Sequence, residues 1–249
     1  MLPLIQKNRF KRNIRIEGSH LGDTKYYFVP NEDSLTSSIF KTLLYLPFRT
    51  AWTIIRQATE CDSLPSNSGQ IKSLEFWPRW NASGTDNVNY VEPDVFLRLT
   101  DFDLIFEAKR SDDWHTQSLH QWSNQIKAYQ NQYRNENRPL FFIALSGFKQ
   151  RGNSDQILSM DDLDVKIVYL RWRNILRQIE KIFKSDKTVG VMDEYSVQYE
   201  FILQDLIAYF RLHGFYAGES FCDFDTDTLK EIDYSQATNI FSKYKITKQ

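Results

Sequence analysis

Two cysteines, three methionines and nine glycines are all that this 249-residue chain holds of those residues. Cys61 and Cys222 show no metal-ligand spacing and read as reduced thiols of a cytoplasmic protein. No glycine-rich phosphate loop is present, so the chain is not expected to drive itself with ATP. There is no run of about 18 apolar residues, which argues against a membrane span. The first residues, MLPLIQKNRFKRN, lack an apolar stretch with a small-residue cleavage site, so no secretory leader is expected. Charge of one sign is also missing. The net charge is −1, so no global field draws the protein onto nucleic acid, and polyanion binding has to come from local patches. Internal repeats and low-complexity segments are absent.

Aromatic residues, by contrast, are plentiful: 18 Phe, 13 Tyr and 6 Trp in a chain that is 41% hydrophobic. That is ample material for a core, and the length suits one large domain or one domain with an appendage. A basic segment is expected over 1–34, with Lys7, Arg9, Lys11, Arg12 and Arg15 around Phe10, then a core over 35–185 and a C-terminal helical extension packed on it over 186–249. Residues 35–59 read as two helices, 35–46 and 47–59, because Pro47 breaks a single one. Strands are expected over 73–80, 90–99 and 103–110. Leu119, Trp122, Ile126, Tyr129 and Tyr133 share one helical face. Leu140–Leu145 and Val165–Leu170 read as buried strands, followed by helices from Trp172 and from Tyr195, the latter stopped by Gly214. The order predicts an α/β domain with a central sheet.

The chemistry concentrates in Glu92-Pro93-Asp94 and Glu107-Ala108-Lys109. Side chains alternate along a strand, so Glu107 and Lys109 share a face. If the turn near Thr100-Asp101 has two or four residues, opposed residue numbers sum to 201 or 203 and Asp94 joins that face; a three-residue loop without a bulge puts it on the other side. Two carboxylates suit Mg²⁺, which keeps several waters, and the Ala108 carbonyl adds a third oxygen. Glu92 has the parity to hold a second metal. The ion acidifies a bound water, and Lys109 orients that water and offsets charge on a phosphate in transfer. The triplet alone is unspecific, since Asp23-Thr-Lys25 and Asp164-Val-Lys166 repeat it, but Pro93-Asp94 is the one Pro-Asp pair in the chain.

The pattern Pro93-Asp94 … Glu107-Ala108-Lys109 resembles the PD-(D/E)XK nuclease superfamily over about residues 35–172. Gln125-Ile-Lys-Ala-Tyr129 resembles the Gln-xxx-Tyr motif of its RecB-like branch. The resemblance implies a restriction-endonuclease-like core, a central mixed β-sheet flanked by helices, here with extra C-terminal helices. It also implies metal-dependent cleavage of DNA with Mg²⁺ or Mn²⁺ as cofactor. Asp94, Glu107 and Lys109 would be catalytic, Gln125 and Tyr129 would support the site or contact DNA, and an acidic residue would come from the first core helix, for which Glu60 is the candidate. The companions it implies are DNA, a helicase/ATPase or other defence subunit, or a second copy of the chain. Two rivals stand beside it: a non-catalytic nucleic-acid-binding or assembly subunit that keeps the fold, and an RNA-cleaving relative.

Lys72, Arg79, Arg98 and Arg110 lie close in sequence to the hairpin and are candidates for phosphate contacts, whereas the N-terminal basic run reads as a solvated edge. Trp77, Trp80, Trp114 and Trp122 can stack on bases, but core packing is the expected use. His115 and His120 are five apart and do not form a ligand pair. Asp223-Phe-Asp225-Thr-Asp227 lacks the glycine and the glutamate of a calcium loop, leaving 219–233 as an acidic, solvated segment.

Overall fold

A computed structural model describes residues 9, 14–17, 25–59, 61–112, 116–148, 156–160, 163–188 and 194–216. The chain divides into two units, Met1–Tyr216 and Ala217–Gln249, and the first contains every described residue. Glu60, Trp114, His115, Cys222, the stretch 219–233 and most of the N-terminal basic run lie outside the described residues.

Strands β1 (Ile14–Glu17) and β2 (Lys25–Phe28) pair as an antiparallel ribbon. Helix α1 then runs Glu32–Leu43. It starts three residues before the sequence expectation because Asn31 caps it. The Asn31 side chain accepts from the Ser34 N–H at 2.9 Å, and Ser34 Oγ accepts from the Asn31 N–H at 3.0 Å. Pro47 separates α1 from α2 (Phe48–Ala58), as its missing N–H and fixed φ require.

Next come β3 (Ile71–Phe76), the short pair β4 (Trp80–Asn81) and β5 (Tyr90–Val91), β6 (Val95–Leu99) and β7 (Asp103–Ala108). Two expected strands are interrupted. Trp77 has φ 48°, which ends β3 short of Trp80, and Pro93 lies between β5 and β6. Then follow α3 (Leu119–Tyr133), β8 (Leu140–Leu145), β9 (Gln156–Met160), β10 (Leu163–Leu170), α4 (Trp172–Thr188) and α5 (Glu194–Leu212). The ribbon β1–β2 and the edge strand β9 have no counterpart in the sequence expectation.

Six strands form one mixed sheet in the order β3-β6-β7-β8-β10-β9. The first two pairings are antiparallel, β7–β8 and β8–β10 are parallel, and β9 closes the edge antiparallel. Alternation along the strands builds two cores. Val95, Leu97, Leu104, Phe106, Ile143 and Val168 pack with α1, α2, α4 and α5 on one face. Phe96, Ile105, Phe142, Ala144 and Ile167 pack with α3 on the other. All six residues of β7 are buried, so this strand lies at the centre of both cores. Leu203, Leu206, Ile207 and Phe210 of α5 belong to the first core, so that helix is an integral layer of the domain. The architecture is thus an α/β domain with a central mixed sheet of six strands flanked by helices.

Candidate active site

The carboxyl end of β7 carries a dense group of interacting charges. Leu99 accepts no residue more than the two-residue turn Thr100-Asp101 before the chain returns at Phe102, as its N–H donates to the Phe102 carbonyl at 3.0 Å. The even turn sets Val95 opposite Phe106 and so brings Asp94 beside Glu107. Asp94 Oδ2 accepts the Ala108 N–H at 2.8 Å, and Asp94 Oδ1 accepts the Trp77 indole N–H at 3.2 Å. Glu107 is 2% exposed. Its Oε1 accepts from the Lys109 ammonium and from the Gln121 amide at 2.7 Å, and its Oε2 accepts from the Gln125 amide at 2.6 Å. From the opposite helix layer, the first residue of α1, Glu32, places Oε1 4.0 Å from Lys109 Nζ while Oε2 accepts the Arg110 N–H at 2.9 Å.

Three carboxylates therefore face one ammonium at the edge of the core. Burial pushes the Asp94 carboxyl well above the usual carboxylate range, and the charges of Glu107 and Glu32 push it further. Glu32 is raised too, first by burial, with Glu107 adding to it and Lys109 opposing. Burial alone would lower the Lys109 pKa, but Glu107, Glu32 and Asp94 outweigh it and raise it. Lys109 is thus a protonated donor at neutral pH. It can hold a water or a phosphate oxygen, but it is not a base.

Backbone around Lys109 is tightly tied. Its N–H donates to the Leu145 carbonyl at 2.8 Å, and its carbonyl accepts the Trp172 indole N–H at 2.8 Å. Against its side chain runs Ser146-Gly147, with φ of 63° and 74°. A Cβ on Gly147 would lie 2.7 Å from Lys109 Cγ and 2.6 Å from Thr116 Oγ1. The buried Asp112 holds this corner together. It accepts from Ser146 Oγ and from the Trp172 and Arg173 N–H groups that open α4.

Asp94, Glu107, Ala108, Lys109 and Gln125 are brought together, and two expected members are not. Tyr129 donates its hydroxyl to Asp103 at 2.8 Å, at the other end of β7. Helix α3 runs back along that strand: the turn beyond Gln125 advances about 6 Å, and the long tyrosine side chain reaches on to Asp103, about 13 Å along the strand from Glu107. Glu92 is engaged by Arg9 and, at 3.4 Å, by Arg79 Nε, so its carboxylate faces cations and not the cluster. Arg98 also sits at the far end, bound to Asp103 and Glu136. Trp80 and Trp122 are buried core residues, and Trp77, also buried, serves as a donor to Asp94.

Three members went unseen in the sequence. Glu32 supplies the acidic group from the first core helix, and Asn31-Glu32-Asp33-Ser34, a cap followed by acids, was the signal for it. Gln117 and Gln121 extend the Gln125 series backward at four-residue steps, and Gln117 Nε2 donates to the Glu107 carbonyl at 3.0 Å. The periodicity was there to read.

The carboxylate oxygens of Asp94 and Glu107 are the donor type a hard cation takes. Among the described residues no group of three His, Cys, Asp or Glu is arranged to hold a metal ion. Asp94 and Glu107 nevertheless offer the one or two carboxylates through which Mg²⁺ is commonly bound. Gln125 Oε1 is buried there without a hydrogen-bond partner, an acceptor that an ordered water would satisfy. Each oxygen of Asp94 and Glu107 already accepts at least one protein donor, and Asp94 Oδ1, Asp94 Oδ2 and Glu107 Oε2 accept one each, which leaves a lone pair on each for a cation.

No protein-family model matches the chain. It is similar to an uncharacterized protein of Pasteurella multocida (strain Pm70), 33% identical over 99 residues, which is 39% of this chain and 36% of that protein. The chain thus spans about a third of the length of that relative. Among the described residues no helix is long and apolar enough to cross a membrane.

Proposed function

We propose that the chain is a metal-dependent nuclease with a restriction-endonuclease-like core, hydrolysing phosphodiester bonds of DNA. The observation that carries this reading is the convergence of Asp94, Glu107 and Lys109 at the carboxyl end of one buried strand. The meander β3-β6-β7, followed by α3 and by β8 parallel to β7, supports the fold assignment. Asp94 and Glu107 would hold Mg²⁺ or Mn²⁺, with Glu32 as a nearby third carboxylate. When bound, the ion supplies an acidified water and charge stabilisation for phosphoryl transfer. Lys109, held protonated by its acidic neighbours, donates to the attacking water or to a phosphate oxygen. Gln121 and Gln125 fix the Glu107 carboxylate, and Tyr129 anchors the same helix at its far end. A cytoplasmic role in defence, mobile-element or repair systems suits such an activity, with a helicase/ATPase, another defence subunit or a second copy as companion.

The experiment is cleavage of single-stranded DNA, duplex DNA and RNA side by side in Mg²⁺ or Mn²⁺. Asp94→Ala and Lys109→Ala are expected to lower the rate about 10²–10³-fold, the usual effect of removing one charge-stabilising group. Undiminished cleavage by both variants overturns the assignment. Preferential cleavage of RNA moves the substrate class and leaves the site intact.

One observation favours a second reading, a non-catalytic subunit that keeps the fold: every carboxylate oxygen of Asp94 and Glu107 already accepts a protein donor. Calorimetry with Mn²⁺ separates the two. Binding that disappears in Glu107→Gln supports the enzyme, and no heat in either protein supports the subunit.

A further inference from the structure

At the opposite end of β7 lies a second concentration of charge, distinct from the cluster around Glu107. Asp103, fully buried, accepts from Arg98 Nη2 at 3.0 Å, Arg138 Nε at 3.2 Å and the Tyr129 hydroxyl at 2.8 Å. Arg138 also donates through Nη2 to the Leu99 carbonyl. These bonds engage two of the five N–H donors of its guanidinium and hold the group in one orientation. The same arginine lines a cavity of ≈ 180 Å³ between α3 and the start of β10, together with Lys127, Tyr133, Arg134 and Asn137. The lining includes three cationic side chains and no carboxylate. A solvated charged face has no need of a concave shape or of a guanidinium tied down from behind. A pre-organised fork with cations beside it is the recognition chemistry of a phosphate.

We infer that this cavity binds a phosphate group, with Arg138 as its fixed anchor and the cationic side chains of Lys127 and Arg134 in its lining. At ≈ 180 Å³ it is smaller than the roughly 300–1,000 Å³ of pockets that enclose drug-sized ligands, so it takes the phosphate and leaves the rest of the ligand outside. Asp103 lies four residues from Glu107, about 13 Å along the strand. The site is therefore separate from the proposed catalytic centre, and only the nucleotide identity of the ligand rests on the proposed nuclease reading. The phosphate has two chemical sources, a free nucleoside monophosphate or the phosphorylated end of a nucleic-acid strand.

The test is calorimetric titration of the full chain with inorganic phosphate, a nucleoside monophosphate, the parent nucleoside, and a short oligonucleotide with and without a 5′-phosphate. The phosphate-bearing ligands are expected to bind and the nucleoside to give no heat. Arg134→Glu, an exposed change, is expected to weaken binding at least about tenfold, which is 1.4 kcal/mol, with unchanged thermal unfolding; Lys127→Gln weakens it less. Asp94→Ala is expected to keep full phosphate affinity, even if it abolishes cleavage. Equal affinities for the two oligonucleotides, both above the monophosphate, point to backbone contacts elsewhere and overturn the proposal. So does phosphate binding that Arg134→Glu leaves unchanged, or no binding of any phosphate ligand.

Discussion

Lys109 owes its position to a residue with no side chain. Gly147 occupies the left-handed region at φ 74°, and its α-carbon faces Lys109 and Thr116 with no room for a methyl group. The Gly147 carbonyl also accepts the Thr116 and Gln117 N–H groups at 2.8 and 3.1 Å, which starts the approach to α3 and its glutamines. Gly147→Ala is expected to cost about 1–2 kcal/mol from the left-handed backbone alone and to displace the Lys109 stem as well. On the proposed nuclease reading, the rate of DNA cleavage should therefore fall by more than the loss of folded protein explains. Measuring kcat beside the denaturation midpoint checks this, and a variant with lower stability but native kcat contradicts it. The proximity of Gly147 to Lys109 links residues 38 positions apart, so nothing in the sequence pattern announces it. Asp94 and Glu107 were legible because side-chain parity and an even turn determine their face. Tyr129 was misplaced because the helical four-residue step shows only which face it shares with Gln125, not how far along β7 that face has travelled.

At the scale of elements, continuous apolar strands such as β7 and β8 and the periodic helix α3 could be read from the sequence, whereas the short elements could not. β9 has one apolar side chain largely in solvent, Ile157 at 70% exposure, and so shows little of the burial pattern that marks a strand. Helix α5 was expected as an extension, but its docking on α1 depends on a contact across 179 residues. His213, just beyond its end, places Nε2 2.8 Å from Ser34 Oγ, while Nδ1–H donates to the Tyr209 carbonyl at 2.8 Å. Burial lowers the His213 pKa below its ordinary value of 6.5. A depressed pKa means that the neutral ring is the folded form, so its stabilisation is present above about pH 6.5 and is lost as pH falls through the folded value. The wild-type protein is expected to lose stability relative to His213→Gln as pH drops from 7.5 to about 5 in urea titrations. A difference between the two proteins that stays constant with pH contradicts this account.

Across the whole molecule, a net charge of −1 conceals an uneven distribution. Cations and acids mostly pair locally, as at Asp103 between Arg98 and Arg138, but among the described residues Glu32, Asp94 and Glu107 share Lys109 as their cationic neighbour. The raised pKa values of Asp94 and Glu32 have a definite sign in stability. A carboxyl raised in the folded state favours folding below its unfolded pKa, and that advantage is lost as pH climbs through the folded value. The cation-free protein is therefore held back at neutral pH by its own candidate site, the usual stability cost of a functional cluster. A divalent cation bound by Asp94 and Glu107 offsets this repulsion and adds its own binding energy, about 2.7 kcal/mol at a concentration one hundred times its Kd. Tm at pH 7.5 is thus expected to rise with added Mg²⁺ or Mn²⁺ and to return with EDTA. Glu32→Gln should raise the EDTA value, more at pH 7.5 than at pH 4, because it removes one charge while its remaining carbonyl oxygen can keep the Arg110 N–H. Glu107→Gln should abolish the response to cation. A wild-type Tm indifferent to both ions would leave the cluster as a self-neutralised structural feature and remove the support for metal-dependent chemistry.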